Sequence, residues 1–185
     1  YCFKWIDGIQ KILNDTGFNY LWSTYRAESE FPYIYTDIKQ RLQDQCLQNV
    51  MANAEISTKK TQYMNLKDEW KMEKYLTILE SRFAYNIIKY RSSNHKLPVE
   101  VGRYNNIDHK DRICHICKIE IGDEYHYLFS CPRFSQERKS FIPNKFTNKP
   151  NMIKYKQLMT SGDEKLLKSL SLFIKVILNS VAAPR

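Results

Sequence analysis

Cys114-His115-Ile116-Cys117, with His126 after eight intervening residues and Cys131-Pro132 after four more, is the stretch whose reading decides the fold. Zinc takes four ligands in a tetrahedron and favours thiolate sulfur and imidazole nitrogen. A Cys-x2-Cys pair lets one tight turn aim two sulfurs at one point. The residues from Lys118 to Tyr125 suffice for a small hairpin, and Ile121-Gly122-Asp123-Glu124 has turn character. Tyr125, Tyr127 and Phe129 alternate with His126 and Leu128, which predicts a short strand that delivers His126 to the metal. Proline is favoured at the first helical position, so Cys131-Pro132 puts Cys131 at a helix N-terminus, where the backbone dipole favours a thiolate. The expectation is one zinc ion held by Cys114, Cys117, His126 and Cys131. Four protein ligands close the site, which makes it structural and leaves no position for a reactive water. His115, between the paired cysteines, is expected to point away from the metal. His95 and His109 are the substitutes should His126 not be a ligand, and are otherwise surface histidines.

Outward from this centre the pattern is helical. Phe3, Ile6, Ile9 and Leu13 predict an amphipathic helix over about 2–13, stopped by Asn14-Asp15-Thr16-Gly17. Ile34, Ile38, Leu42, Cys46 and Val50 recur every four residues and predict a second helix over about 33–54, with Cys46 as a buried apolar thiol. A polar connection containing Lys59 and Lys60 follows. Trp70, Tyr75, Leu76, Leu79, Phe83, Ile87 and Tyr90 predict a third helix over about 67–92. Leu97 to Arg103 reads as extended chain. Beyond the metal motif come a short helix to about 141, a Pro/Asn/Lys loop, a helix near 152–160, and a last helix of about 163–179 with a broad apolar face. The fold class expected is mainly α-helical with one small zinc-stabilised β-hairpin, a zinc-knuckle or treble-clef-like module. The organisation expected is a helical region over 1–92, the zinc module over 93–142 and a helical region over 143–185.

Composition bounds the function. The chain has 185 residues and only 5 glycines, which favours helices over a turn-rich β fold. Its net charge is +9, yet residues 1–57 hold 5 basic and 7 acidic side chains, so the whole excess lies beyond them. A basic surface of that kind suits a polyanion partner, or it is simply a solvated face. Five cysteines, three of them in one cluster, fit a metal site in a reducing compartment better than a disulfide framework. No stretch approaches the ~20 apolar residues needed to cross a membrane. The chain starts at Tyr1 and not at Met, which reads as a piece of a longer polypeptide. It carries no phosphate-binding glycine loop, no paired-aspartate polymerase motif and no His-Glu-x-x-His helix, so catalysis is not expected in this piece.

Several further stretches stand in a familiar order: Arg91-x3-His95-x-Leu97, Glu100-x-Gly102-Arg103-Tyr104, Arg112-x-Cys114-x2-Cys117, then Asp123-Glu124-Tyr125-His126-Tyr127-Leu128-Phe129-x-Cys131-Pro132, with Arg138 beyond. Over about 75–142 the chain resembles the zinc-binding C-terminal region of non-LTR (LINE-like) retrotransposon reverse transcriptases. That resemblance implies a zinc module C-terminal to a polymerase whose catalytic aspartates lie upstream. The module would help its parent engage an RNA template or DNA target during target-primed reverse transcription. The parent would be an intracellular RNA-directed DNA polymerase, made in the cytoplasm and working in the nucleus. The retroviral zinc knuckle spaces its second cysteine and histidine more closely than the eight residues here, so that knuckle's nucleic-acid contacts do not transfer.

The residues give their own account of binding. Arg91, Lys96, Arg103, Lys110 and Arg112 precede the metal motif, and Arg133, Arg138 and Lys139 follow it, with Tyr104, Tyr125, Tyr127 and Phe134 among them. Cationic groups neutralise phosphates and aromatic faces stack unpaired bases. Arg91, Lys96, Arg103, Tyr104, Lys110, Arg112, Arg133, Arg138 and Lys139 are therefore the candidate contacts to RNA or DNA. The alternative is that several tyrosines belong to the core and that Arg103 and Arg112 pair with Glu100, Asp111, Asp123 or Glu124. A rival function is a zinc-stabilised interaction module that docks on the upstream polymerase region or another protein without touching nucleic acid.

Overall fold

Leu167, Leu170, Phe173, Ile174 and Ile177 stand three and four apart, the spacing that lines one face of a helix. In the computed structural model, which describes residues 4–24, 31–59, 61–67, 69 and 71–182, all five are fully buried on the C-terminal helix. The elements are α1 (Lys4–Thr16), α2 (Tyr20–Thr24), α3 (Phe31–Glu55), α4 (Thr61–Leu66), α5 (Lys74–Ile78), α6 (Ser81–Arg91), α7 (Pro98–Tyr104), α8 (Ser135–Phe141), α9 (Asn144–Thr147), α10 (Met152–Met159) and α11 (Glu164–Ala182). Short 3-10 turns at His109–Asp111 and Pro132–Phe134 and a π-helical turn at His126–Ser130 complete them. The protein is thus mainly helical. Among the described residues the predicted hairpin amounts to a single antiparallel bridge between Ile113 and Ile121. No described helix is long and apolar enough to cross a membrane.

The chain divides into two compact units, Tyr1–Ile56 and Ser57–Arg185. In the first, α1 packs on α2 and α3. Gly17, with φ +81°, lets the chain leave α1 in the left-handed region, and the Gln45 side-chain amide donates to the Asp15 carbonyl at 2.7 Å. Cys46 is exposed and not buried as expected. A four-residue step turns about 40° past a full helical turn, so the four steps from Ile34 to Val50 sweep the stripe about 160° round the helix, wider than one neighbour covers. Leu42 and Val50, on the same stripe, are exposed as well. Cys2 and Phe3 of the first predicted helix lie outside the described residues.

In the second unit the long helix expected over 67–92 is broken into α5 and α6. Glu73 and Glu80 take extended backbone with ψ of 132° and 147°. At Glu73 the cause is electrostatic: its carboxylate accepts from Lys67 Nζ at 2.9 Å and lies 3.0 Å from an Arg91 guanidinium nitrogen. A continuous helix would not let one carboxylate meet cations at 67 and 91. Trp70 and Lys60 lie outside the described residues. Residues 97–103, expected to be extended, form α7, with Pro98 in its first turn after an extended Leu97.

One core unites the metal segment with the helices on both sides: Ile87, Tyr90, Leu97, Cys114, Tyr127, Leu128, Cys131, Phe134, Tyr155, Leu158 and the α11 face are all buried in it. Phe134 meets Phe173 of α11 edge-on at 6.3 Å, and Phe141 stacks on Phe173 at 6.0 Å. The segment 93–142 contributes to the core of the unit that contains it.

Arg91 is the largest fully buried side chain. It also donates to the Met159 carbonyl at 2.9 Å and lies over the Tyr75 ring at 5.2 Å. Removing one partner of a buried ion pair strands the other charge, at about 3–5 kcal/mol. Glu73→Gln is accordingly expected to lower unfolding stability by about that amount in chemical denaturation, against under ~1 kcal/mol for Glu69→Gln at an exposed pair.

Candidate metal centre

The knuckle begins at Cys114, whose amide donates to the Glu120 carbonyl at 2.8 Å, while Lys118 N donates back to the Cys114 carbonyl at 2.9 Å. Lys118 takes φ +59° to close this turn. Arg112 and Gly122 pair on the other side, with Gly122 N donating to the Arg112 carbonyl at 2.9 Å. Gly122 is required by a close approach: a Cβ there would stand 2.7 Å from Pro98 Cγ and 3.0 Å from Cys114 Cα.

The segment that carries His126 is helical and not the strand the alternation predicted. Its two side-chain sets do not face core and solvent in turn; Tyr127, Leu128 and Phe129 are all buried, so the alternation carries no facial information. Asp123 caps the turn by accepting from His126 N at 2.7 Å. Cys131 N then donates to the His126 carbonyl at 2.8 Å, a five-residue π bond. An α-helix would carry position i+5 about 140° round its axis; the wider turn lets the chain bring His126 and Cys131 to one side. Pro132 opens the 3-10 turn that runs into α8, as expected from the sequence.

Cys114, Cys117, His126 and Cys131 converge, with one donor atom from each and all four atoms within 4.8 Å of one another. Tetrahedral bonds of about 2.3 Å to sulfur and 2.0 Å to nitrogen give edges of about 3.5–3.8 Å, so a contraction of about 1 Å at the widest edge seats an ion. Cys114, His126 and Cys131 are buried and Cys117 is half-buried. These residues fit a metal ion with a sulfur-rich, tetrahedral preference. His115 is exposed and stands outside the cluster.

The electrostatics of the cluster call for a cation. Burial pushes the Cys114 thiol up, but hydrogen bonds from the Tyr127 hydroxyl, the Cys117 and Ile116 amides and the His126 ring outweigh it and bring the group to about 6. Burial pushes Cys131 up to about 12, against the help of the Arg133 amide and with the repulsion of the Cys114 and Cys117 sulfurs added. One thiolate forms readily and then suppresses the next. A divalent cation among them removes that conflict.

Three supporting residues were not foreseen. Glu120 Oε2 lies 2.8 Å from His126 Nδ1, which turns Nε2 toward the sulfurs, 3.3 Å from Cys117 Sγ. Tyr127, considered above for base stacking, is fully buried with its hydroxyl 3.2 Å from Cys114 Sγ. Burial, followed by the neighbouring sulfurs, holds this phenol well above its ordinary range, so it remains a donor to thiolate. His95 is the third. It is not a surface histidine: its ring is almost wholly enclosed and lies 3.0 Å from Glu124, which also accepts from Ser93 at 2.9 Å. A buried imidazole beside a carboxylate from another turn leaves no mark in a linear pattern.

The predicted nucleic-acid contacts separate into two groups. Arg91 is interior, as described. Arg138 is buried too, donating to the Leu128 carbonyl at 2.7 Å and the Cys131 carbonyl at 2.9 Å, where it satisfies the end of the π turn. Arg112 donates to the carbonyls of Ile107 at 2.9 Å and Val99 at 3.2 Å, and Arg103 pairs with Glu100 at 3.0 Å. These four guanidinium groups are engaged within the protein. Lys96, Tyr104, Lys110, Arg133 and Lys139 are exposed, Arg133 paired with Glu137 at 3.1 Å. His109 is exposed beside Lys110.

Comparison with known proteins returned no matching family model, no matching curated protein and no matching solved structure.

Two measurements probe the centre. Cys131 is protonated at neutral pH without a cation, so seating a metal must release its proton, whereas Cys114 has already lost its own above about pH 6. Metal affinity is therefore expected to rise with pH between about 6.5 and 8, by at least tenfold per unit, in chelator-competition titrations; a flat profile contradicts the assignment. Gly122→Ala is expected to shift the Cys114 backbone and weaken metal retention about tenfold or more, the scale seen when a supporting contact is lost, while Gly8→Ala, in open space, leaves it unchanged.

Proposed function

We propose that the chain is a zinc-stapled nucleic-acid-binding module of a retroelement polyprotein, lying C-terminal to its reverse transcriptase. The observation that carries the zinc part is the closed set of three sulfurs and one imidazole within 4.8 Å. Zinc suits that donor set better than harder cations, which prefer oxygen ligands. With four protein donors the ion is a staple, and the module itself performs no chemistry. Its role in the parent is to hold RNA or DNA during target-primed reverse transcription, with catalysis supplied upstream. The basic excess beyond residue 57 supports this, as do the exposed Lys96, Tyr104, Lys110, Arg133 and Lys139 around the zinc segment.

A second reading, docking on the polymerase region or another protein, is favoured by one observation. Tyr35, Leu42, Cys46 and Val50 of α3 are exposed and lie within about 80° of one another round its axis, and apolar side chains gathered on one face invite a partner.

The test is binding of the zinc-loaded chain to single-stranded RNA and DNA by fluorescence anisotropy across a salt series. The proposal expects measurable affinity with a log–log salt slope of about −2 or steeper, as three or more phosphates are neutralised. A folded, zinc-loaded sample with no affinity at low salt contradicts nucleic-acid binding and leaves the docking reading.

A further inference from the structure

Between α6 and α11, on the second unit, lies an open groove of about 600 Å³ lined by Arg82, Tyr85, Lys89, Lys175 and Leu178 among others, and it continues past Tyr85 and Lys89 into a second hollow of about 370 Å³ that reaches Lys96. Every charged side chain lining either part is basic, apart from the enclosed His95, and no carboxylate lines them. Helix geometry explains the alignment. Arg82, Tyr85 and Lys89 stand three and four residues apart on one face of α6, spanning about 10 Å along its axis, and Lys175 and Leu178 repeat that spacing on α11.

The aromatic group distinguishes this groove from a solvated basic face. Tyr85 is 58% exposed, with Lys89 Nζ 5.2 Å from its ring centroid. A ring more than half exposed and set among cations offers what an unpaired base and its phosphates require together. Among the described residues no carboxylate pairs with Lys89, Lys96 or Lys175. Arg82 does pair with Glu80 at 3.0 Å, but both are largely exposed, and a pair of that kind is easily exchanged for a phosphate.

We infer that this α6–α11 groove is the track for a single strand of nucleic acid, with Tyr85 as a stacking platform and Lys89, Lys96 and Lys175 as phosphate contacts. The inference deepens the proposed function and rests on it. It moves the main contact surface off the metal knuckle, whose arginines are largely engaged in the protein, to a groove of which only Lys96 stood among the sequence candidates. A duplex presents phosphates but hides its base faces, and an acidic peptide has no base to stack; neither uses Tyr85.

The experiment titrates a fluorescein-labelled oligouridylate of about twelve nucleotides, within the site size of comparable grooves, into the full zinc-loaded chain. Lys89→Glu with Lys175→Glu is expected to weaken binding about thirtyfold or more and to flatten the salt slope by about 1.4, the share of two phosphates on a single strand. Tyr85→Ala is expected to weaken it about 5- to 100-fold, while Tyr85→Phe retains wild-type affinity. Lys89→Arg with Lys175→Arg retains it as well. All four variants are checked for unchanged zinc content and thermal unfolding; the arginine and phenylalanine variants keep the test decisive should a charge reversal fail to fold. If the wild-type chain binds and the glutamate and alanine variants bind equally well, the groove is wrong while nucleic-acid binding stands. If the loaded wild-type chain does not bind, both fall. A duplex or a glutamate-rich peptide that displaces the strand as well as unlabelled strand does overturns the single-strand assignment.

Discussion

Three cysteine sulfurs and an imidazole crowded into one mostly buried cluster form the constraint on which the second unit depends. Thiolates so close repel one another, and burial deprives them of water. The opposite directions in which Cys114 and Cys131 are driven express that conflict. A cation would resolve it, and the groups around the cluster suit one. Glu120 fixes the histidine tautomer, Tyr127 supplies a hydroxyl to sulfur, and backbone amides at 116, 117 and 133 aim at the thiolates.

The cluster is wired into the core and does not hang from it. Tyr127 meets Phe134 edge-on at 6.1 Å, and Phe134 in turn meets Phe173 of α11. On the other side the Tyr90 hydroxyl donates to the Glu124 carbonyl at 2.6 Å, next to the buried Ser93–Glu124–His95 group. Arg138 closes the π turn from behind. Buried polar groups of this kind are strongly destabilising when only half satisfied, so displacement of the knuckle is felt at α6 and α8 together. The segment 93–142 thus shares both apolar and polar contacts with the helices that flank it.

The convergence of Cys114, Cys117, His126 and Cys131 and the Pro132 helix start were legible because metal chemistry and proline geometry impose local, spaced signatures. The α11 face was legible because its apolar positions follow the helical period. The strand over 125–129 was misread because His126, Tyr127, Leu128 and Phe129 are all buried and Tyr125 half-buried, which erases the contrast that periodicity needs. The break at Glu73 was invisible because its cause, a carboxylate shared by Lys67 and Arg91, acts across the fold. Arg91 and Arg138 looked like phosphate contacts since sequence records a guanidinium's charge and not its burial. Pro98 carried the same signal as Pro132, but Leu97 to Arg103 read as extended chain and α7 was missed. Glu120 lies inside the motif, and only the position of its carboxylate against His126 Nδ1 reveals its role.

The proposed function follows the same division. On the proposed reading a bound zinc would fix the knuckle, the knuckle packs into the core, and the core holds α6 beside α11, where Lys89, Lys175 and the exposed Tyr85 line one groove. All of this rests on the identity and ligation of the ion. The most direct measurement is zinc K-edge absorption on the purified chain. Three sulfurs at about 2.3 Å and one nitrogen at about 2.0 Å, with one zinc per chain, are predicted; a shell of oxygen and nitrogen, or one with fewer than three sulfurs, would contradict the account.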